Sequence, residues 1–422
     1  MTLQLLKEWN PWWEDTKLLE TIKGISRLRY EQLIKSSTIR EITIISGIRR
    51  SCKSTLMYEM IDSLLKQGIN PHQILFINFE DKKLSEIELD KIYDEYRAEL
   101  NPDKKAFIFL DEIHKTKAWE SWIRKKYDLR SNDKFIISGS CSYLLNKEYS
   151  TRLTGRNIVF EVFPLSFKEY LDFQGMTIQN TKIITDNTKY KILNKLNTYF
   201  ELGGFPEVFL KEDMFKQKLL EQYFDDILYK DIIERYNLNV QKTRDLALFF
   251  MSNITGIISL RNIRSSLGLS YDTAKDYISY FKEALLFFTC DHFSYSYKEQ
   301  KTYAPKIYCA DTGIRNAVSF KFSKEYGKLA ENLAFIELKR KGINPYYWTG
   351  KKEVDFIVKE KDNSLTAINV TYTDDVDKRE IEGLLEFSNL FKKTNKLIIL
   401  TKDIEKKEKN IQFIPLWKLL LM

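Results

Sequence analysis

The sequence predicts an α/β fold organised on a parallel sheet, and two observations carry that prediction. Between residues 41 and 164, short β-rich apolar runs alternate with helix-period segments: ITIIS at 42–46, ILFINFE at 74–80, AFIFLDE at 106–112 and KFIISGS at 134–140. Alternation of this kind is the rhythm of strand, crossover helix and parallel strand. The runs also end on polar residues, with Ser46 and Gly47 closing the first, Asp111 and Glu112 the third, and Ser138 and Ser140 the fourth.

The stretch 42–60, ITIISGIRRSCKSTLMYEM, organises the rest. A strand runs into Ser46 and Gly47, and a helix-period pattern of Leu56, Met57, Met60, Ile61, Leu64 and Leu65 follows Lys53, Ser54 and Thr55. Strand, turn and helix are the context a Walker A phosphate loop requires. Backbone N–H groups across Gly47, Ile48, Arg49, Arg50, Ser51, Cys52, Lys53, Ser54 and Thr55 would hold phosphate oxygens at a positive helix N-terminus. Lys53 would reach the β and γ phosphates, and Ser54 would ligate Mg2+. Arg49 and Arg50 lie within the loop and face either phosphate or a lid. One residue departs from G-x4-G-K-[ST]: Cys52 stands where glycine is expected, and its β-carbon would crowd the backbone approach to phosphate.

The third run delivers Asp111 and Glu112 to the carboxyl end of a buried strand. There Asp111 would hold Mg2+, and Glu112 would orient and deprotonate an attacking water, the work of phosphoryl transfer. A strand that merely ends in an acidic turn is the plainer alternative. The separation of about 60 residues from Lys53, with one strand and helix between, favours nucleotide chemistry. In the next strand Ser138 is placed to sense a γ phosphate, with a simple Ser/Gly turn as the alternative. Further on, in YSTRLTGRNIVFEVFPLSFKEYL, Arg152 and Arg156 are either charge donors to a neighbouring subunit's phosphate or members of structural salt bridges.

Composition sets bounds on this reading. The length of 422 residues admits about two to four domains. A 43% hydrophobic content reads as globular, and a net charge of +8 on a chain that is 30% charged permits nucleic-acid contact without requiring it. Cys52, Cys141, Cys290 and Cys309 form no CxxC pair, which argues against a zinc site or disulfide framework and for free thiols in a reducing compartment. The opening MTLQLLKEWNPWWEDTK lacks a signal-peptide pattern, and no apolar run spans a bilayer, so a cytoplasmic protein without a membrane partner is expected.

The expected organisation is a lead-in segment at 1–40, a core at 41–164, a helical lid at 165–253, a winged-helix-like region at 254–305 and an α/β domain at 306–422. In the fourth region two short helices meet at Gly268 and Ser270, with Ser270 as N-cap of the second. Arg261, Arg264 and Lys275 there would contact DNA phosphate, or the region serves as a protein-interaction spacer. In the last, a helix at 329–341 precedes strand-like runs at 353–358, 366–372 and 396–401.

Taken together, GIRRSCKSTL, FIFLDEIHK, SGSCSYLL, LTGR with PLSFKEYL, ELGGFPEV, DDILYKDIIERYNL and the opening NPWWED resemble the prokaryotic AAA-type ATPases of the archaeal and bacterial STAND-related group. The resemblance covers essentially the whole chain. It implies an AAA-type P-loop ATPase core, a helical lid with winged helix and a C-terminal α/β domain similar to restriction endonucleases. A nuclease centre of that kind needs a helix Glu, a strand Asp, and an acid or Gln with a Lys two residues on. Glu331 and Asp355 match the first two. The next strand carries Asn369, Val370 and Thr371 where related sequences resemble Q-V-K, so the domain is expected to be catalytically degenerate.

The expectation is therefore an ATP-binding, Mg2+-dependent ATPase acting as a nucleotide switch, with Glu112, Lys53 and Arg156 catalytic and Ser54 and Asp111 on the metal. Double-stranded DNA and a protein are the candidate partners, and an oligomer is compatible with the arginine reading. The alternative is a DNA-binding or DNA-processing module with a regulatory or vestigial nucleotide site.

Overall fold

The computed structural model describes residues 2–24, 27, 30–140, 153, 155–180, 184–319 and 325–422. It comprises two compact units, Met1–Phe163 and Pro164–Met422.

The first unit is a five-stranded parallel sheet in the order β2-β3-β4-β1-β5, built from β1 (Ile42–Gly47), β2 (Ile74–Asn78), β3 (Phe107–Asp111), β4 (Lys134–Ser140) and β5 (Asn157–Val162). Strand alternation splits the apolar residues between two faces. Ile44, Leu75, Ile77, Ile108 and Leu110 pack with Ile92 and Tyr96 of helix α3 (Leu89–Glu99) and Trp119 and Ile123 of α4 (Trp119–Asp128). Ile45, Ile74, Phe76 and Phe109 pack under Leu56, Met57, Met60 and Ile61 of α2 (Lys53–Lys66). Both faces are therefore buried, which is why these strands read as nearly continuous apolar runs.

The lead-in segment covers the exposed edge of the sheet, where unpaired backbone groups invite misassociation. After α1 (Thr2–Trp9), the Asn10 side-chain amide acts as a substitute strand: its Oδ1 accepts from Phe76 N–H at 2.7 Å and its Nδ2 donates to Phe76 O at 2.8 Å. The Trp13 indole N–H donates to Ile74 O at 2.8 Å. Trp12, fully buried, packs edge-on against Phe76.

The second unit opens with helices, among them α5 (Phe167–Phe173), α6 (Asp186–Leu202), α7 (Asp213–Asp226) and α8 (Val240–Ser252), with a π-helical segment at Ile227–Ile233. Two short helices follow, α9 (Leu260–Leu267) and α10 (Tyr271–Glu283), separated by Gly268 in the left-handed region, where glycine carries no Cβ penalty. Ser270 caps α10 by accepting from Thr273 N–H, as its position suggested. An antiparallel pair, β6 (Phe287–Cys290) and β7 (Lys306–Cys309), comes next. The GGFP turn after α6 is clasped by buried Asp311, which accepts from Gly204 N–H at 2.6 Å and from Ile314 N–H at 3.1 Å. Gly203, at φ +71°, has no room for a side chain because a Cβ would overlap the Asp311 carboxylate.

Beyond α11 (Thr312–Val318) and α12 (Tyr326–Arg340) lies a six-stranded mixed sheet in the order β12-β13-β11-β10-β9-β8. Its strands are β8 (Tyr346–Thr349), β9 (Glu353–Lys359), β10 (Leu365–Val370), β11 (Thr394–Thr401), β12 (Lys406–Glu408) and β13 (Ile411–Pro415), with α13 (Lys378–Leu390) between β10 and β11. No helix among the described residues is long and apolar enough to cross a membrane.

Candidate nucleotide site

The central strand β1 is buried along its whole length and ends at Gly47, packed against β5 so closely that a Cβ there would overlap the Val162 carbonyl. The loop that follows turns through two left-handed residues, Arg50 at φ 69° and Cys52 at φ 66°. Position 52 thus demands the conformation that glycine adopts freely, and the strain of a cysteine there is on the order of 1–2 kcal/mol. Cys52 is also the cap residue of α2, so the chain enters the helix directly from this turn.

Lys53 is buried and folds its ammonium onto the loop, donating to the carbonyls of Gly47 at 3.2 Å and Ile48 at 3.4 Å. Ser54 Oγ donates to Asp111 Oδ2 at 2.6 Å, and Ser138 donates to the other oxygen of Asp111. The Glu112 N–H in turn donates to Ser138 Oγ at 3.2 Å. The Glu112 carboxylate stands 3.8 Å from Lys53 Nζ on one side and 3.2 Å from His114 Nδ1 on the other. Burial, followed by the charge of Glu112, pushes the Asp111 carboxyl up to about 6 against the stabilising hydrogen bonds of Ser138 and Ser54. Ser51 Oγ is buried with no hydrogen-bond partner among the described residues. Arg49 lies 3.7 Å from Glu80, and Thr55 packs beside Gly24 in the first turn of α2.

The structure thus brings together Gly47, Ile48, Ser51, Cys52, Lys53, Ser54, Asp111, Glu112 and Ser138 at the carboxyl ends of β1, β3 and β4. Arg156 is elsewhere. It precedes β5, its carbonyl accepts from Ile42 N–H at 2.8 Å, and its guanidinium pairs with Asp128 at 2.8 Å. That puts it at the strand-start end of the sheet, about 20 Å from the loop at ~3.3 Å per residue. Its structural salt bridge is the reading that holds within this chain. Arg152 and Cys141 lie outside the described residues.

Two participants escaped the sequence reading. Buried Arg27 donates to Ser51 O and to Phe163 O, each at 3.0 Å, and so stitches the loop to the strand that ends beside it. Nothing local in the sequence signals this. His114 lies two residues past Glu112 in the motif, a spacing that could have drawn attention to it.

A second constellation lies in the other unit. Lys306, on β7 and almost wholly buried, sets its ammonium 3.0 Å from Glu331 of α12 and 2.6 and 3.2 Å from Glu353 and Asp355 of β9. Burial opposes the charge on Lys306, but Glu331, Asp355 and Glu353 hold its pKa well above the ordinary lysine value. Burial and Asp355 push Glu331 up to about 7. Asn369 is structural: it accepts from Asp355 N–H at 3.1 Å and donates to Glu380 at 2.9 Å. Thr371 follows the end of β10, and the lysine that meets Glu331 and Asp355 comes instead from β7. Among the described residues no group of three or more acids, His or Cys is arranged to hold a metal ion.

A parallel sheet, a phosphate-type loop at its central strand and paired acids two strands away define the first unit as a P-loop ATPase fold of the AAA type. The AAA domain family model matches residues 39–171 accordingly, and two models described as domains of unknown function, DUF8612 and DUF4143, match 193–325 and 326–419. The chain is 31% identical over 399 residues to the uncharacterized protein MJ1544 of Methanocaldococcus jannaschii, covering 90% of this chain and 88% of that one, and it belongs to the same family. An uncharacterized protein of Haemophilus influenzae is 29% identical over 382 residues, covering 87% and 92% of the two chains. Among solved structures, a Walker-type ATPase of Pyrococcus abyssi aligns with a TM-score of 0.43 at 12% identity, over 70% of this chain and 96% of that one.

Proposed function

We propose that this protein binds ATP and hydrolyses it with Mg2+, and that the cycle switches its engagement of a partner, double-stranded DNA or protein. The observation that carries this reading is the convergence of Lys53, Ser54, Asp111, Glu112 and Ser138. The donor set fits the ion: Ser54 and Asp111 present adjoining oxygens, and a buried carboxyl raised to about 6 is one that a cation would favour ionising. Held by Ser54 and Asp111, Mg2+ would supply neutralisation of phosphate charge. Lys53, exchanging its loop carbonyls for phosphate oxygens, binds the same groups. The loop N–H groups and Ser51 complete the cradle, with Arg49 and Arg50 at its rim.

Glu112 orients the attacking water and accepts its proton, with His114 Nδ1, 3.2 Å from the Glu112 carboxylate, holding that carboxylate in place. Ser138, bonded to both Asp111 and the Glu112 backbone, reports the state of the γ phosphate to both acids. Arg156 fits a charge-donating role only toward a neighbouring subunit's phosphate. An ATPase assay on the wild type beside Lys53→Ala and Glu112→Gln tests this. Turnover lost in both, with nucleotide retained by the Glu112 variant, supports the switch, and absence of wild-type turnover refutes the enzymatic half.

The second reading, a DNA-processing module with a regulatory nucleotide site, draws on the meeting of Glu331, Asp355 and Lys306. These are the residue types of a restriction-endonuclease-like centre. We read the domain as nuclease-like but degenerate, because the Lys306 ammonium lies among the carboxylates that a metal would need. A salt-dependent gel shift with duplex DNA addresses it, and no binding at low salt counts against it.

A further inference from the structure

The end of the ATPase sheet opposite the phosphate loop holds a cavity of about 380 Å3, formed where β1, β3 and β4 begin. Arg40, Lys105, Arg130 and Lys134 line it, together with Ser131 and Asp133. None of these four cations forms an ion pair with a carboxylate among the described residues; Arg40 and Arg130 are exposed at the mouth, Lys105 is half-buried and Lys134 is buried. Arg40 stacks on the Tyr127 ring at 4.2 Å and donates to Tyr127 O at 2.7 Å, which fixes its guanidinium while leaving other N–H groups unused. Lys134 is 1% exposed, and its ammonium donates to the Glu41 carbonyl.

Asp133, the acid of the lining, is consumed elsewhere. One oxygen accepts from Arg97 and from Ala106 N–H at 2.9 Å, and the other accepts from Tyr93 at 2.6 Å. Ser131 Oγ is buried and lacks a hydrogen-bond partner among the described residues. The cavity therefore presents positive charge that no carboxylate ion-pairs among the described residues, and an unfilled hydroxyl. A buried lysine is expensive in that setting, and burial with the nearby charge of Lys105 pulls Lys134 down to about 8 against the pull of Glu41.

We infer that this cavity is a second anion site that takes a phosphate group, either free or as a phosphodiester of single-stranded nucleic acid. Planar guanidinium forks at Arg40 and Arg130 suit paired phosphate oxygens, and Lys105 adds a point charge. The site is separate from the nucleotide loop, since the two lie at opposite ends of the same parallel strands.

Competitive acetylation of the full-length protein, read residue by residue by mass spectrometry, tests the inference. With pyrophosphate or a short oligodeoxythymidylate as the probe at three times its dissociation constant, labelling of Lys105 should slow about fourfold by mass action, while exposed Lys82 is unchanged. Slowing by pyrophosphate assigns the site to free phosphate. Slowing by the oligonucleotide alone assigns it to phosphodiesters, and the Lys105→Gln/Arg130→Gln variant should then lower the salt slope of oligonucleotide binding by roughly 1.4. Unchanged Lys105 labelling with both probes, or equal slowing at Lys82, overturns the proposal.

Discussion

Ser54 Oγ donates to Asp111 Oδ2 at 2.6 Å, joining the first turn after the phosphate loop to the end of a strand two places away in the sheet. The same carboxylate is buried, raised to about 6, and next to a second acid. A raised folded-state pKa means that the folded chain holds a proton more tightly than the unfolded one. Stability from this group is therefore present at low pH and lost as pH rises from about 4 through about 6. Asp111→Asn should accordingly stabilise the nucleotide-free protein near pH 7.5, by about 1–3 kcal/mol and a few degrees in Tm, while lowering the proposed Mg2+-dependent hydrolysis about a hundredfold or more. Calorimetry and an ATPase assay on one preparation check both signs.

Cys52 turns the departure from the phosphate-loop pattern into a measurable strain. Its left-handed conformation is the one glycine supplies, so Cys52→Gly should stabilise the fold by up to about 1 kcal/mol after glycine's extra chain entropy is offset. Cys52→Val, with a β-branched side chain in the same conformation, should lose about 2 kcal/mol and weaken ATP binding. Denaturant titration and equilibrium nucleotide binding separate the two effects.

The parallel sheet was legible in the sequence because burial on both faces writes strands as uniform apolar runs, and because Asp111, Glu112 and Ser138 end those runs. The Ser270 cap was legible for the same local reason. The tertiary partners were not. Arg27 reaches the loop from 24 residues upstream, and Lys306 reaches Glu331 from 25 residues before it, on a strand with no motif of its own. For Arg156 the sequence offered a neighbouring subunit's phosphate or a structural salt bridge; within one chain the Asp128 pair is what its position at the strand-start end provides, and the reading toward a neighbour needs a second subunit that sequence does not display.

Asn10 should matter far more than a lead-in residue normally does. Asn10→Ala removes two hydrogen bonds to Phe76 and leaves both backbone groups of that edge residue buried without them. The expected cost is about 2–6 kcal/mol at roughly 1–3 kcal/mol per orphaned group, with aggregation on heating as the exposed strand edge finds other chains. Chemical denaturation and light scattering during a thermal ramp measure both.

Lys306 supplies the sharpest test of how the second unit is held. Lys306→Met leaves Glu331, Glu353 and Asp355 facing one another around an apolar side chain, and breaking a buried pair in this way costs about 3–5 kcal/mol. The loss should depend on pH. Glu331 is already raised to about 7 with the ammonium in place, and without it the folded chain binds a proton there still more tightly. The unfolded chain titrates near the ordinary value for glutamate in both proteins, so the two lose stability in parallel up to about pH 7, and the variant's deficit widens as pH rises beyond that value and narrows as pH falls back below it. Tm of variant and wild type should therefore lie closer together at pH 5.5 than at pH 8, and Lys306→Met with Glu331→Gln should recover part of the loss at pH 8. A deficit equal at both pH values would mean that lost packing, rather than uncompensated carboxylate charge, accounts for the destabilisation.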